Sequence, residues 1–170
     1  MALVDGVPVE VEAKIGDQAV ITRVGAAQMV LSAQRSDGGT VLPNTNGAMP
    51  MREGDSLTVV AEGFAPFADI DLWVYSEPTF LGRQSADGFG RSTFITTVPD
   101  LVSGDHDIVI DGLSRDGARI TVASSLTILD DLEEISAVRR VGTIAVWVLL
   151  IGGLVAGLLV PGRIRRRPAD

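Results

Sequence analysis

The sequence predicts a mainly β protein, an antiparallel β-sandwich that is followed by one C-terminal transmembrane α-helix. Segments of alternating apolar and polar residues recur at intervals of about 10–15 residues up to Ile128, and Gly-containing turns separate them. The apolar period becomes helical only from Asp130 onward. The chain then contains Val141–Val160, a run of residues without any charge.

The N-terminal region, residues 1–50, reads as β-strands or as part of a truncated domain. Val7–Ile15 alternates strictly between apolar and charged residues or Pro, which predicts one half-buried strand. Ala19–Val24 and Gln28–Gln34 are predicted as further strands. Pro43–Pro50 is rich in Pro, Asn and Gly and is predicted to connect this region to the next.

Residues 51–129 show the sandwich pattern most clearly. Apolar residues alternate in Ser56–Gly63 and again in Asp69–Ser76, and Arg91–Val98 is rich in the β-branched residues that strands favour. His106–Asp111 alternates once more, and Ala118–Ile128 is predicted as the last strand. We therefore expect a domain that ends at residue 129.

A juxtamembrane helical stalk is predicted for residues 130–140. Leu132, Ile135 and Val138 recur every three residues, and Asp131 with Glu134 resembles a capping box. We expect this helix to begin near Asp131 and to continue into the apolar segment.

Residues 141–160, from Val141 to Val160, are predicted to be the transmembrane helix and to hold the protein in the lipid bilayer. A helix of this length spans about 30 Å, the thickness of the hydrocarbon core. Trp147 falls near the middle of the segment, away from the interfacial aromatic belts. Gly153 and Gly157 form a GxxxG pattern, so a homo-oligomer or another helix partner at this face remains open.

The charges predict the orientation of this helix. Residues 1–138 hold eight basic and 21 acidic residues, whereas the tail, residues 161–170, carries four arginines: Arg163, Arg165, Arg166 and Arg167. By the positive-inside rule, the tail is cytoplasmic and the N-terminal domain is extracellular. Export also needs a signal, and residues 1–14 have neither a basic nor an apolar signal region. We therefore expect a C-terminal piece of a longer surface protein or a misplaced start.

The composition argues against several classes of function. The acidic head disfavours nucleic acid as a partner. The chain has no cysteine, and its one histidine, His106, shares a predicted strand face with Ile108 and Ile110, so we expect no catalytic residue, metal site or cofactor. Asp105, Asp107, Asp111 and Asp116 match no calcium-binding loop and are read as solvent-facing or turn residues.

Two surface features remain. Leu42–Asn46 resembles a sortase signal, but it lies far upstream of the apolar segment, and we favour a Pro/Asn turn. Trp73 and Tyr75 point away from the predicted core face of their strand, so they form an interaction patch if that face is open. We favour the alternative that N-terminal strands, Phe64 or Phe67 cover them.

A family resemblance covers residues 51–129. The residues that carry it are Gly63-Phe64-Ala65-Pro66, Asp71–Ser76, Pro78–Gly82 and Ala86–Gly90, with Pro99, Gly104, His106, Gly112 and Asp116-Gly117 after them. They resemble a bacterial immunoglobulin-like (Ig-like) module of actinobacterial cell-surface and cell-wall-associated proteins. Such modules often have Pro-Gly after Gly-Phe-Ala, where this chain has Pro66-Phe67. The resemblance implies an Ig-like sandwich at a cell surface and supplies no catalytic residue.

We therefore expect a membrane-anchored extracellular module with a structural, display or adhesion role at the bacterial cell surface, and no enzyme activity. A subunit or sensor ectodomain that acts through a helix partner is one alternative. Another is that upstream domains of a longer protein carry the function.

Overall fold

A computed structural model of the chain describes residues 1–76 and 78–130, which form thirteen β-strands. The predicted stalk, transmembrane helix and tail, with Val141, Trp147, Gly153, Gly157, Val160 and the four tail arginines, lie outside the described residues. Within the described ranges there is no helix long and apolar enough to cross a membrane.

The first sheet has seven strands. Its order is β10 (Thr79–Ser85), β9 (Asp69–Tyr75), β12 (Gly104–Leu113), β13 (Arg119–Ile128), β1 (Ala2–Val4) and β2 (Val7–Val9). Neighbours in this order are antiparallel, whereas β7 (Met49–Met51) pairs in parallel with the end of β13. The strand β13 therefore has β1 and β7 along the same edge.

The second sheet has six strands. Its order is β11 (Ser92–Thr97), β8 (Ser56–Glu62), β5 (Ala27–Gln34), β4 (Ala19–Val24) and β3 (Glu12–Ile15), and β6 (Thr40–Val41) pairs with β5. All of these pairs are antiparallel. The mainly β, antiparallel fold that the sequence predicts is thus confirmed.

Residues 1–50 and 51–129 share both sheets, and Met1–Asp130 forms one compact unit. Val7–Ile15 is not the single strand that its alternation predicts. The chain leaves the first sheet after Val9 and enters the second at Glu12, and Val7 and Ile15 are 62% and 47% exposed. Pro8 lacks an N–H group and lies in the edge strand β2, where a missing donor does not break a ladder.

One apolar core lies between the two sheets. The inward residues of β9 and β12 meet those of β5 and β8, and the largest of them are fully buried: Ile70, Leu72, Ile108, Ile110, Met29, Leu31 and Leu57. Alternating burial along β5, β8 and β9 follows the two-residue period of the strands. This packing fixes which side chains point outward on the first sheet.

Phe64 closes one end of the core. It is fully buried in the loop after β8, and its N–H donates to the carbonyl of Gly90 at 3.1 Å. A Cβ atom at Gly90 would lie 2.0 Å from the Phe64 carbonyl oxygen, and one at Gly63 would lie equally close to that of Ala26. Both glycines are therefore required by close backbone approach, in addition to their positive φ angles.

Candidate functional site

Trp73 and Tyr75 point outward from β9, away from the core, and Tyr75 is 46% exposed. Phe64 is buried in the core and Phe67 is 76% exposed. The ring of Phe80, on β10, packs against Trp73. For Tyr75, this corrects the interpretation that other residues cover the aromatic side chains. Trp73 is half-buried.

Trp73, Tyr75 and Phe80 form an aromatic patch on the outer face of the first sheet. The ring centroids of Trp73 and Phe80 are 4.9 Å apart, and those of Trp73 and Tyr75 are 6.4 Å apart. Both pairs are tilted, the arrangement that the charge distribution of aromatic rings favours. Val109 and Ala123 continue the apolar row across the sheet from Trp73, which gives the patch a rigid backing.

A polar cleft of about 370 Å³ begins at Tyr75. Its floor is formed by side chains that face outward from β12 and β13, namely Asp105 and Asp107 with their cross-strand partners Thr127 and Ser125. Thr127 Oγ1 donates to Asp105 Oδ1 at 2.8 Å, and Ser125 Oγ donates to Asp107 Oδ1 at 3.5 Å. The shorter bond holds the Asp105 carboxylate in place on the floor, and the longer contact leaves Asp107 less constrained.

The second wall of the cleft is the loop between β6 and β7. Asn44 Oδ1 accepts hydrogen bonds from the N–H groups of Asn46, at 2.9 Å, and Ala48, at 3.0 Å. The Asn44 N–H donates to the carbonyl of Ala48, and Gly47 completes the turn at φ +79°. Leu42–Asn46 thus leads into a turn, as the favoured interpretation predicts, and this turn presents Asn44 and Asn46 to the cleft.

His106 lies beneath the rim of the cleft and is only 6% exposed. Its Nδ1 is 2.6 Å from Ser76 Oγ, and its Nε2 is 2.7 Å from the carbonyl oxygen of Val102. Because both ring nitrogens are engaged, the imidazole ties the end of β9 to the segment before β12. It shares the buried face of β12 with Ile108 and Ile110, as the sequence predicts.

A separate cluster of charges occupies the other half of the same outer face. Arg83 binds Asp71 with two hydrogen bonds, of 2.5 and 2.8 Å, and Arg119 Nε donates to Asp111 Oδ1 at 2.8 Å. The hydrogen bond from Arg83 lowers the pKa of Asp71 below its usual value. Asp71 and Asp111 are cross-strand neighbours, so the two arginines offset the repulsion between these carboxylates.

Among residues 1–76 and 78–130, no group of three or more His, Asp or Glu side chains is placed to hold a metal ion. Asp105 and Asp107 face the cleft, whereas Asp111 lies in the charge cluster and Asp116 bonds Ser114 in a turn. The four aspartates that invite comparison with a calcium site therefore do not converge.

Sequence reasoning did not assign Phe80, Asn44 or Asn46 to the site. Phe80 reaches Trp73 through the pairing of β10 with β9, which has a bulge between Phe80 and Gly82. The Asn44 loop lies beside β13 because of the parallel β7–β13 pairing, which joins residues far apart in the chain. Of these features, the sequence indicates only the Asn-rich turn itself.

Comparisons with known proteins add little to this geometry. No protein-family model and no curated protein matches the sequence. Among solved structures, the chain is similar to the catalytic domain of an LPMO from Listeria monocytogenes, with 15% sequence identity and a TM-score of 0.39. That match covers 58% of this chain and 76% of the other.

Proposed function

We propose that this protein is a single-pass membrane protein that displays a β-sandwich module on the outside of a bacterial cell. The observation that carries the proposal is the order of two segments along the chain. A compact β unit ends at Asp130, and the uncharged segment Val141–Val160 follows after ten intervening residues. Twenty apolar residues are the length that a bilayer-spanning helix needs.

The distribution of charge supports this topology. Residues 1–138 carry a net charge of −13, from eight basic and 21 acidic residues, whereas residues 139–170 carry six arginines and one aspartate. Arginines after the apolar segment favour retention of the tail in the cytoplasm. The acidic head is then the extracellular part.

The proposed role is display or adhesion, without catalysis. An aromatic patch and a polar cleft on a rigid sheet are suited to binding, since aromatic side chains are enriched where proteins meet partners. His106, the residue best suited to acid–base chemistry, is only 6% exposed and ties Ser76 to the Val102 carbonyl, which is a structural position.

An Ig-like actinobacterial surface module is the family we propose. Support comes from the residues that carry the resemblance, because several of them have a structural task. Phe64 fills the end of the core, Gly90 allows close approach to the Phe64 carbonyl, and Gly63 allows close approach to that of Ala26. The C-terminal apolar segment is also what a membrane-attached member of such a family needs.

Membrane anchoring is tested by extraction of cell membranes at alkaline pH. The full chain should stay in the membrane pellet, and a Leu150→Arg, Leu154→Arg variant should move to the soluble fraction. Each arginine at the centre of a transmembrane helix costs about 2.5–3.5 kcal/mol. A Leu150→Ile, Leu154→Ile variant is the matched control and should stay in the pellet. Release of the unaltered chain from the membrane would contradict the proposal.

A further inference from the structure

We infer that the Tyr75 cleft binds a neutral oligosaccharide, and this inference rests on the proposed function as a surface display module. The cleft combines an exposed aromatic ring, two carboxylates and two side-chain amides on one rigid face. The inference follows from the charge of the lining, its free hydrogen-bonding groups and the distance between its walls.

The charge of the lining selects against anions. Among the described residues that line the cleft there is no lysine or arginine, and Asp105 and Asp107 are both exposed on its floor. A phosphate, a sulfate or an acidic sugar would therefore meet two carboxylates without a compensating cation. Among the described residues, no group of three or more His, Asp or Glu side chains gathers here to hold a metal ion.

The polar groups suit hydroxyl-rich ligands. Oδ1 of each aspartate is bonded to a hydroxyl of β13, and no donor among the described residues bonds Oδ2 of Asp105 or Asp107. Of its side-chain atoms, Asn44 uses only Oδ1 in the turn, so its NH₂ group can donate to a ligand. Neighbouring hydroxyls of a sugar need both acceptors and donors. The carboxylates provide the acceptors, and the Asn44 amide provides a donor.

Tyr75 supplies the apolar contact. Its ring is 46% exposed and belongs to the patch with Trp73, so the neighbouring aromatic ring supports it. The faces of aromatic rings carry partial negative charge, and the C–H groups of a pyranose face carry partial positive charge. A sugar that packs on Tyr75 lies in the same cleft as the carboxylates on the floor.

The distance between the walls gives the size of the ligand. Tyr75 lies on β9, whereas the Asn44 loop leads into β7, and the sheet order places β12 and β13 between them. Three strand spacings separate the walls by about 14 Å. One pyranose ring is narrower than this, so a ligand that contacts both walls is an oligosaccharide. A cleft whose walls lie this far apart suits a glycan chain better than a single apolar side chain of a peptide.

Isothermal titration calorimetry of the full chain in lipid nanodiscs tests the inference, because nanodiscs avoid the sugar headgroups of glycoside detergents. The probes are cellohexaose, chitohexaose, maltohexaose, xylohexaose, mannohexaose, hexagalacturonate, glucose and calcium chloride. We expect at least one neutral hexasaccharide to bind, and to bind more tightly than glucose or hexagalacturonate. Equal or tighter binding of hexagalacturonate, glucose or calcium would overturn the inference, and so would the absence of binding by every neutral hexasaccharide.

Variants locate the binding. Tyr75→Ala and Asp107→Ala should each weaken the affinity about tenfold, as expected for loss of an aromatic contact or of a hydrogen bond to a charged group. Phe89→Ala and Asp37→Ala change an exposed aromatic residue and an exposed aspartate outside the cleft and should bind as the unaltered chain does. Thermal unfolding of both cleft variants is measured as well. If their unfolding is unchanged and their affinity is also unchanged, the site lies elsewhere. This result is separable from the membrane-extraction result, since binding in nanodiscs does not depend on the direction in which the head faces in the cell.

Discussion

Phe67 adopts a backbone conformation that favours glycine. Its φ angle is +63°, and its side chain is 76% exposed in the loop between β8 and β9. The Phe67 N–H donates to the carbonyl of Ala86, and the ring lies beside Gly88, so the loop is fixed by its neighbours. The family we propose often has glycine at this place. The backbone at Phe67 is therefore strained. From the sequence alone, Phe67 is visible only as a departure from the family's Pro-Gly pattern.

Phe67→Gly is expected to stabilise the protein by up to about 1 kcal/mol. Relief of the left-handed conformation contributes about 1–2 kcal/mol, and the greater freedom of glycine in the unfolded chain offsets about 0.5–1 kcal/mol. Phe89→Gly is the matched control, because Phe89 is also exposed but has no positive φ angle, and it should not stabilise. Thermal unfolding measures both, and equal destabilisation of the two variants would contradict the account.

Asp71 gives the stability of the head a dependence on acid. The hydrogen bond from Arg83 lowers the pKa of Asp71 in the folded protein, opposed by partial burial and aided by the charge of Arg83. The unfolded chain has a carboxyl pKa near 3.9, so the folded state favours the ionised form. This contribution is fully present above that pH and is lost as the pH falls through the folded pKa.

Asp71→Asn should therefore reduce the loss of unfolding free energy between about pH 5 and pH 2.5. Urea unfolding at both values measures the loss, and fluorescence of Trp73 in a Trp147→Phe background reports the head, since the chain has two tryptophans. Asp17→Asn removes an aspartate without a hydrogen-bond partner among the described residues and serves as the control. An equal acid loss in the unaltered chain and in Asp71→Asn would contradict the role of the ion pair.

At the scale of the elements, the alternation of side chains predicts the strands well but does not predict their partners. β4, β5 and β8 follow the predicted segments closely, because one apolar face of each packs on the core. Val7–Ile15 alternates equally well and still divides between two sheets. Periodicity specifies which residues share a face. The change of sheet arises because β2 pairs with β1, which β13 holds in the first sheet, whereas β3 pairs with β4 in the second.

The cleft shows the same limit of local signals. The outward positions of Tyr75, Asp105 and Asp107 follow from the strand period and are visible in the sequence. The placement of Asn44 opposite Tyr75 depends on the parallel pairing of β7 with β13. No pattern within residues 43–50 indicates that pairing, which is why the segment reads only as a connector.

The apolar segment makes a further prediction at this scale. If Gly153 and Gly157 bring two helices together, replacement of both by leucine removes the close approach and abolishes association. A membrane-dimerisation assay measures this, and Gly152→Leu is the control because it changes an adjacent glycine about 100° away around the helix. Association that survives the double replacement, or that Gly152→Leu abolishes equally, would leave anchoring as the role of the segment.

For the whole molecule, we propose one β unit, with a binding face on its first sheet, joined to a C-terminal anchor. Residues 1–50 belong to the same two sheets as residues 51–129, so the head acts as a single body. The core and the charge cluster support the aromatic patch from below and from one side. A display role needs this arrangement, because a ligand bound at the cleft is then held through one body to the proposed anchor.

The central claim is that the head faces the outside of the cell and the tail the inside. Because the natural chain has no cysteine, single cysteines can report each side separately. Thr93→Cys lies at an exposed position of β11, and Ala169→Cys lies in the tail. With each variant placed at the native locus, a membrane-impermeant maleimide added to intact cells should label Thr93→Cys and should label Ala169→Cys only after lysis. Labelling of the tail with protection of the head, or labelling of both only after lysis, would contradict the account.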